Sequence, residues 1–406
     1  MVLRRAVACL VFAIGLGATF GAAADRVPLE PASSDWSSVE ARARGSTVYF
    51  NAWGGDEAIN RYLAWTAIEV QRQYGIRLFH VKVADIAESV TRILAEAAAG
   101  RTSGGSVDLL WLNGENFASL RRAGLLYGPW ADAVPNARWI DTHGNPTTVT
   151  DFTIPTEGFE LAWGTARLTL FYDNRAVVNP PRDPAALLDW IQAHPGRFTY
   201  PRPPNFLGTS FLKQLLVLLV RDPAALRRPP GPDLEEVTQP LWDWLERAHP
   251  SLWRSGRLFP PSGSAQRELL ATGEVDWALA FNPAEARRAI VRGELPEAIR
   301  ATSFRGGVLG NSHFLAIPFN SRSRDAALVV ANFLLSAEAQ ARKADVAVWG
   351  DPTVLDFHAL PVADRNRFSQ TKGPDSTLTD GPVVADLHPS WMGALEREWL
   401  RRYGVR

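Results

Sequence analysis

Apolar and polar positions follow two rhythms along this chain, and the rhythms alternate in a regular order. Thr47-Val48-Tyr49-Phe50-Asn51 is rich in strand formers and is broken by Gly54-Gly55. From Asp56 to Tyr74, Ile59, Tyr62, Leu63, Val70 and Tyr74 recur at helical spacing, and Gly75 stops the run. Arg77 to Val83 alternates as a strand does. Asp85 to Ala99 places Ile86, Val90, Ile93 and Leu94 on one helical face, and Val107 to Leu112 is apolar throughout, which suits a strand buried on both faces. This strand–helix–strand–helix–strand order predicts a parallel sheet with right-handed crossovers.

The pattern then changes. Gly, Pro and Asn accumulate from Gly124 to Pro146, and strand character returns between Phe159 and Tyr172. Helices are predicted over Pro184–Ala193, Ser210–Val220 and Leu234–Arg247, separated by proline-rich segments. Val275 to Phe281 reads as a strand, and Asn282-Pro283 opens a helix with proline at a favoured first position. Phe314–Phe319 reads as a strand and Ser323–Ala341 as one long amphipathic helix. The chain thus builds one sheet region, leaves it, builds a second and returns. At 406 residues it exceeds one ordinary core, so two α/β lobes are expected.

Composition narrows the function class. Forty-three basic residues balance 43 acidic ones without basic runs, which argues against a nucleic-acid partner. Residues 1–24 read as a secretory signal: Arg4 and Arg5 precede an apolar run from Ala6 to Phe20, and Ala22-Ala23-Ala24 supplies small residues for cleavage. The other reading is an uncleaved anchor, against which the run is short of the ~20 residues a span requires. Cys9, the single cysteine, lies inside this segment, so the mature chain has no disulfide. Residues 25–44 read as a linker.

The C-terminal run Leu315-Ala316-Ile317-Pro318-Phe319-Asn320-Ser321, followed by Asp325-Ala326-Ala327 and Asn332-Phe333-Leu334-Leu335-Ser336-Ala337-Glu338-Ala339-Gln340, resembles the bacterial extracellular (periplasmic) solute-binding proteins of ABC importers. Ser106-Val107-Asp108-Leu109-Leu110-Trp111, Gly196-Arg197-Phe198-Thr199-Tyr200-Pro201 and Gly208-Thr209-Ser210-Phe211 are similar to the same family. Asn51-Ala52-Trp53-Gly54-Gly55 and Asn113-Gly114-Glu115-Asn116-Phe117 resemble its thiamine-type branch. The resemblance implies a type II periplasmic-binding fold, two α/β lobes joined by crossing hinge strands around a ligand cleft. It places crossovers near Ile154–Glu160, Gly310–Phe314 and Val346–Trp349. Lobe 1 would then hold 45–156 and 312–346, and lobe 2 would hold 157–311 and 347–406. It also implies a monomer with an ABC permease and ATPase as partners.

Ligands in open α/β sheets sit at the carboxyl ends of strands. That rule selects Trp53, Gly54 and Gly55 after the first strand, Asn113, Glu115 and Asn116 after the third, and Asn282 after the Val275–Phe281 strand. Gly208, Thr209 and Ser210 precede a predicted helix, while Glu157, Trp163 and Asn311 lie at or near the crossovers. Trp53 suits stacking on a cation, and Glu115 suits pairing with one, though each also fits a plain structural role: a half-buried ring, or a helix-start carboxylate. A small organic cation such as thiamine is the expected ligand, with a carbohydrate or polyol as the alternative and an anion after it. A ligand sensor without transport is the other open role. The histidines are scattered without metal-ligand spacing, no cofactor motif occurs, and Gly208-Thr209-Ser210 lacks the final glycine of a nucleophile elbow, so neither metal, cofactor nor catalysis is expected.

Overall fold

A computed structural model describes residues 35–370 and 383–404. The expected signal at 1–24 lies outside the described residues. The expected linker needs correction at its end: Trp36–Ala43 forms helix α1, capped by Asp35, with Val39 and Ala43 buried. Trp36, Val39 and Ala43 fall on one helical face, a stripe too short to stand out beside the serines around it.

The first rhythm folds in the order read: β1 (Thr47–Trp53), α2 (Glu57–Tyr74), β2 (Arg77–Val83), α3 (Ala87–Ala98), β3 (Leu109–Leu112) and α4 (Glu115–Arg122). β1 pairs in parallel with both β2 and β3. Asp56 caps α2 by accepting from the Ala58 and Ile59 amides. Gly75 ends it at φ 68°, where a side chain would be strained.

Next come the short β4 (Thr150–Asp151) and β5 (Ile154–Pro155), then β6 (Glu160–Arg167), β7 (Thr169–Asp173), α5 (Pro184–Ala193), α6 (Phe206–Leu219), α7 (Leu234–Ala248), α8 (Gly263–Ala271), β8 (Trp277–Ala280), α9 (Glu285–Val291) and β9 (Ile299–Thr302). The chain returns through β10 (Val308–Ala316), α10 (Arg324–Leu334), α11 (Ala337–Ala344), α12 (Val362–Arg365), β11 (Val383–Ala385) and α13 (Ser390–Tyr403). The strand expected at 314–319 therefore starts earlier. The helix expected over 323–341 is two helices, because the Ser336 hydroxyl accepts from the Ala339 amide and starts α11 afresh.

Two lobes result. Core residues of the first include Phe50, Tyr62, Leu161, Trp163, Phe314 and Phe333, and those of the second include Leu168, Phe211, Trp277, Leu309 and Trp399. β6 enters the first core at Leu161 and precedes the second at Leu168. β10 leaves the second at Leu309 and enters the first at Phe314. These paired antiparallel strands are the crossing hinge, so the chain changes lobe within 160–167 rather than before it. The expected lobe 2 membership of 347–406 is also corrected in part. Trp349, Val354, Leu355, Leu360 and Phe368 join the first core, while Leu387, Trp391, Leu395 and Trp399 join the second. The apolar side chains of 349–368 pack where the Asp141 and Asp356 amides tie that stretch to lobe 1, by bonding the Val354 and Trp139 carbonyls.

Candidate ligand-binding cleft

Topology alone orients the cleft. β3 is antiparallel to β10 and β10 is antiparallel to β6, so β6 runs in the same sense as β3 and β1. Because β6 carries the chain into lobe 2 at its carboxyl end, the carboxyl ends of β1 and β3 also face lobe 2. Trp53, Asn113 and Glu115 thus stand at the lobe interface, as the strand-end rule requires.

At the start of α4, Gly114 has φ 62°, and a Cβ there would meet the Phe152 ring at 2.7 Å. Its amide donates to Asp151 Oδ2 at 2.5 Å. The buried Asp151 leaves its other oxygen, Oδ1, without a partner. Close by on β6, Glu160 is 2% exposed and neither of its carboxyl oxygens has a partner. Burial pushes both carboxyls well above the usual carboxylate range, and Asp386 and Glu115 add to this for Asp151, as Asp151 does for Glu160. Glu115 is solvent-exposed yet walled in by both lobes, the mark of a crevice. That enclosure pushes it up to about 7, with Glu396 and Asp85 adding repulsion against the pull of Lys213.

Lobe 2 answers with one ammonium. Lys213 on α6 is 1% exposed and donates to both oxygens of Asp386, at 2.9 and 2.8 Å. It lies 4.5 Å from the centroid of the Phe152 ring, a cation–π contact across the interface. Thr209 donates to Glu396 at 2.8 Å. On the other wing Arg288 of α9 pairs with Asp56 at 3.0 Å and donates to the Trp349 carbonyl at 2.7 Å. Behind that wing, Lys343, Asp351 and His313 form a buried network beside Trp111, Trp163 and Trp349. Among the described residues no three His, Cys, Asp or Glu side chains converge as metal ligands.

The residues selected from sequence divide. Trp53 is 44% exposed, with its ring laid over Gly55, where a Cβ would meet it at 2.5 Å. Gly54 packs on Lys82, Asn113 is half-buried and Asn116 is buried on α4. Asn282 caps the Ala284 amide and keeps a buried, unpartnered Nδ2, and buried Asn311 has neither side-chain atom partnered. Three assignments are corrected. Trp163 is 0% exposed and enclosed by other rings, which leaves no face for a ligand. Gly208, Thr209 and Ser210 lie inside α6, because Asn205 caps the helix earlier by accepting from the Leu207 amide. Glu157 pairs with Arg121 at 2.5 Å on an exposed turn of lobe 1.

Sequence reasoning passed over Asp151, Glu160, Lys213, Asp386, Glu396 and Arg288. Two carried a signal: Lys213 is a lone charge in the apolar run of α6, and Glu160 opens a strand otherwise apolar as far as Ala166 apart from Thr165.

A family model described as bacterial extracellular solute-binding protein matches residues 66–360. Protein YnjB of Escherichia coli (strain K12) is 50% identical over 374 residues, 92% of this chain and 95% of that protein. Among solved structures, the spermidine/putrescine ABC transporter substrate-binding protein PotD from Streptococcus pneumoniae aligns with a TM-score of 0.60 at 13% identity, covering 89% of this chain and 100% of that one. The fructose-6-phosphate-bound periplasmic binding protein AfuA from Actinobacillus pleuropneumoniae aligns with a TM-score of 0.61 at 13% identity, covering 89% and 99%. These likenesses agree with the two-lobed type II fold built above. By its matched length and its relative in Escherichia coli, this chain belongs to the bacterial extracellular solute-binding proteins.

Proposed function

We propose that this protein is the periplasmic receptor of an ABC importer, a monomer that closes its two lobes on a small organic cation and delivers it to a permease and ATPase. The observation that carries the ligand class is the charge imbalance at the lobe interface. Among the described residues Glu115 and Asp151 form no ion pair, and Lys213, the ammonium that acts on both, is already engaged by Asp386. A buried carboxylate without a partner is unstable, and an ammonium or a thiamine-like ring cation supplies the missing charge. The spermidine/putrescine protein named above, which shares the fold, is a receptor for amines by its name. Trp53 at the rim offers a ring for stacking on such a cation. Closure then adds lobe 2 contacts to those made first on lobe 1. This reading assigns the protein no catalysis.

Thermal shift of the mature protein against thiamine, putrescine, spermidine, choline, sugars, polyols and sugar phosphates tests it. A ligand at a hundredfold excess over its Kd stabilises by ~2.7 kcal/mol. A rise confined to cations supports the reading, and a rise confined to sugars or phosphates overturns it. For the responding cation, Asp151→Asn and Trp53→Ala are each expected to weaken binding tenfold or more in calorimetry. Parent-like binding by both would show that the ligand lies elsewhere.

A further inference from the structure

Carboxyl groups that await a cation must be neutralised while the site is empty. Lys213 from α6 cannot serve them all, since both Asp386 oxygens hold it. The groups that act on Glu115 are otherwise acidic: Glu396 from α13 and Asp85 from the loop after β2. Asp151 faces Asp386, Glu115 and Lys213 and accepts from the Gly114 amide, while its free oxygen is buried without a partner. Glu160 stands behind it, acted on by Asp151 alone among the described charges and bonded by none. In this setting the smallest available cation is a proton.

We propose that Glu115 and Asp151 hold protons in the empty receptor and release them as the organic cation enters, so that capture is an exchange of protons for ligand charge. Solvent reaches Glu115 in the crevice, so the proton has an exit. Glu160, enclosed behind them, keeps its proton throughout. The sign follows from linkage. Ligand binds the ionised site, so lowering the pH through the range in which these carboxyls take up protons weakens binding, by about tenfold per pH unit for each proton exchanged. An acidified periplasm loosens capture, and an alkaline one tightens it.

The inference rests on the cation reading, and the test separates the two. Calorimetry of the full mature protein with putrescine, spermidine, thiamine and choline at pH 6, in buffers of different ionisation enthalpy, counts the protons released. Close to one or more per ligand is expected, falling in Glu115→Gln even where that variant binds more weakly. In the ligand-free protein, carbon-13 NMR titration of labelled carboxyls should find Glu115 still protonated at pH 6, well above an ordinary glutamate. If cations bind with buffer-independent heats and a Kd flat from pH 5.5 to 7.5, the exchange is wrong and the cation reading stands. If the carboxyls are protonated but no cation binds up to pH 8.5, the cation reading fails and takes the exchange with it.

Discussion

Two charged networks flank the lobe junction, and they are built on opposite principles. In the hinge-side network each charge is matched. Lys343 donates to Asp351 at 2.5 Å and to the Pro352 carbonyl at 2.9 Å, and His313 bonds the other Asp351 oxygen. Burial pushes the Asp351 carboxyl up, but Lys343 and His313 outweigh it and hold the group below its ordinary value. In the cleft-side network, Asp151 and Glu160 keep free buried oxygens and sit above their ordinary values. A completed network holds a structure together, whereas an incomplete one marks the place where something from outside completes it.

The largest expected effect breaks the completed network. Lys343→Met leaves Asp351 charged and enclosed, and should cost about 3–5 kcal/mol in urea unfolding. Glu160→Gln should cost little, since it replaces a carboxyl already kept neutral. Equal losses in the two variants would erase the distinction between the networks. Next in size is the pH dependence of the ligand-free protein. Asp151 and Glu160 have folded values above their unfolded ones, so their share of stability is present below the ordinary carboxylate range and drains as pH rises. Melting temperature should therefore fall as pH rises from 5 to 8, and fall less in Glu160→Gln. Asp351, with a lowered value, acts in the opposite sense and loses its share only as pH drops below the ordinary range. A flat profile from pH 5 to 8 would show that the cleft carboxyls ionise freely. The smallest effect concerns closure. Arg288→Ala removes the ion pair to Asp56 and should shift the ligand-free receptor toward an open form, seen as a larger radius of gyration in solution scattering. An unchanged radius would show that this pair does not help hold the lobes together.

Much of the scaffold was legible because its signals are local. β1, α2, β2 and α5 follow the hydrophobic rhythm and the cap residues beside it to within a few positions. The amphipathic pattern runs straight through Ser336 and hides the helix start there. The strand-end rule picks Trp53 and Glu115, which follow β1 and β3 at the strand ends that face lobe 2, since it depends only on the order and sense of strands. Thr209 and Ser210 lie past the start of α6, which is capped by Asn205.

The sequence by itself determined the fold class, the family and the strand ends that form the cleft, because periodicity, capping and strand order are written in neighbouring residues. The tertiary structure alone decided which carboxyls lack partners. Phe152 and Lys213 lie far apart along the chain, and nothing near either residue in sequence reveals that the ammonium packs on that ring. Whether a charge is matched depends on every group around it in space, and burial, which sets the strength of that demand, is a property of the assembled lobes.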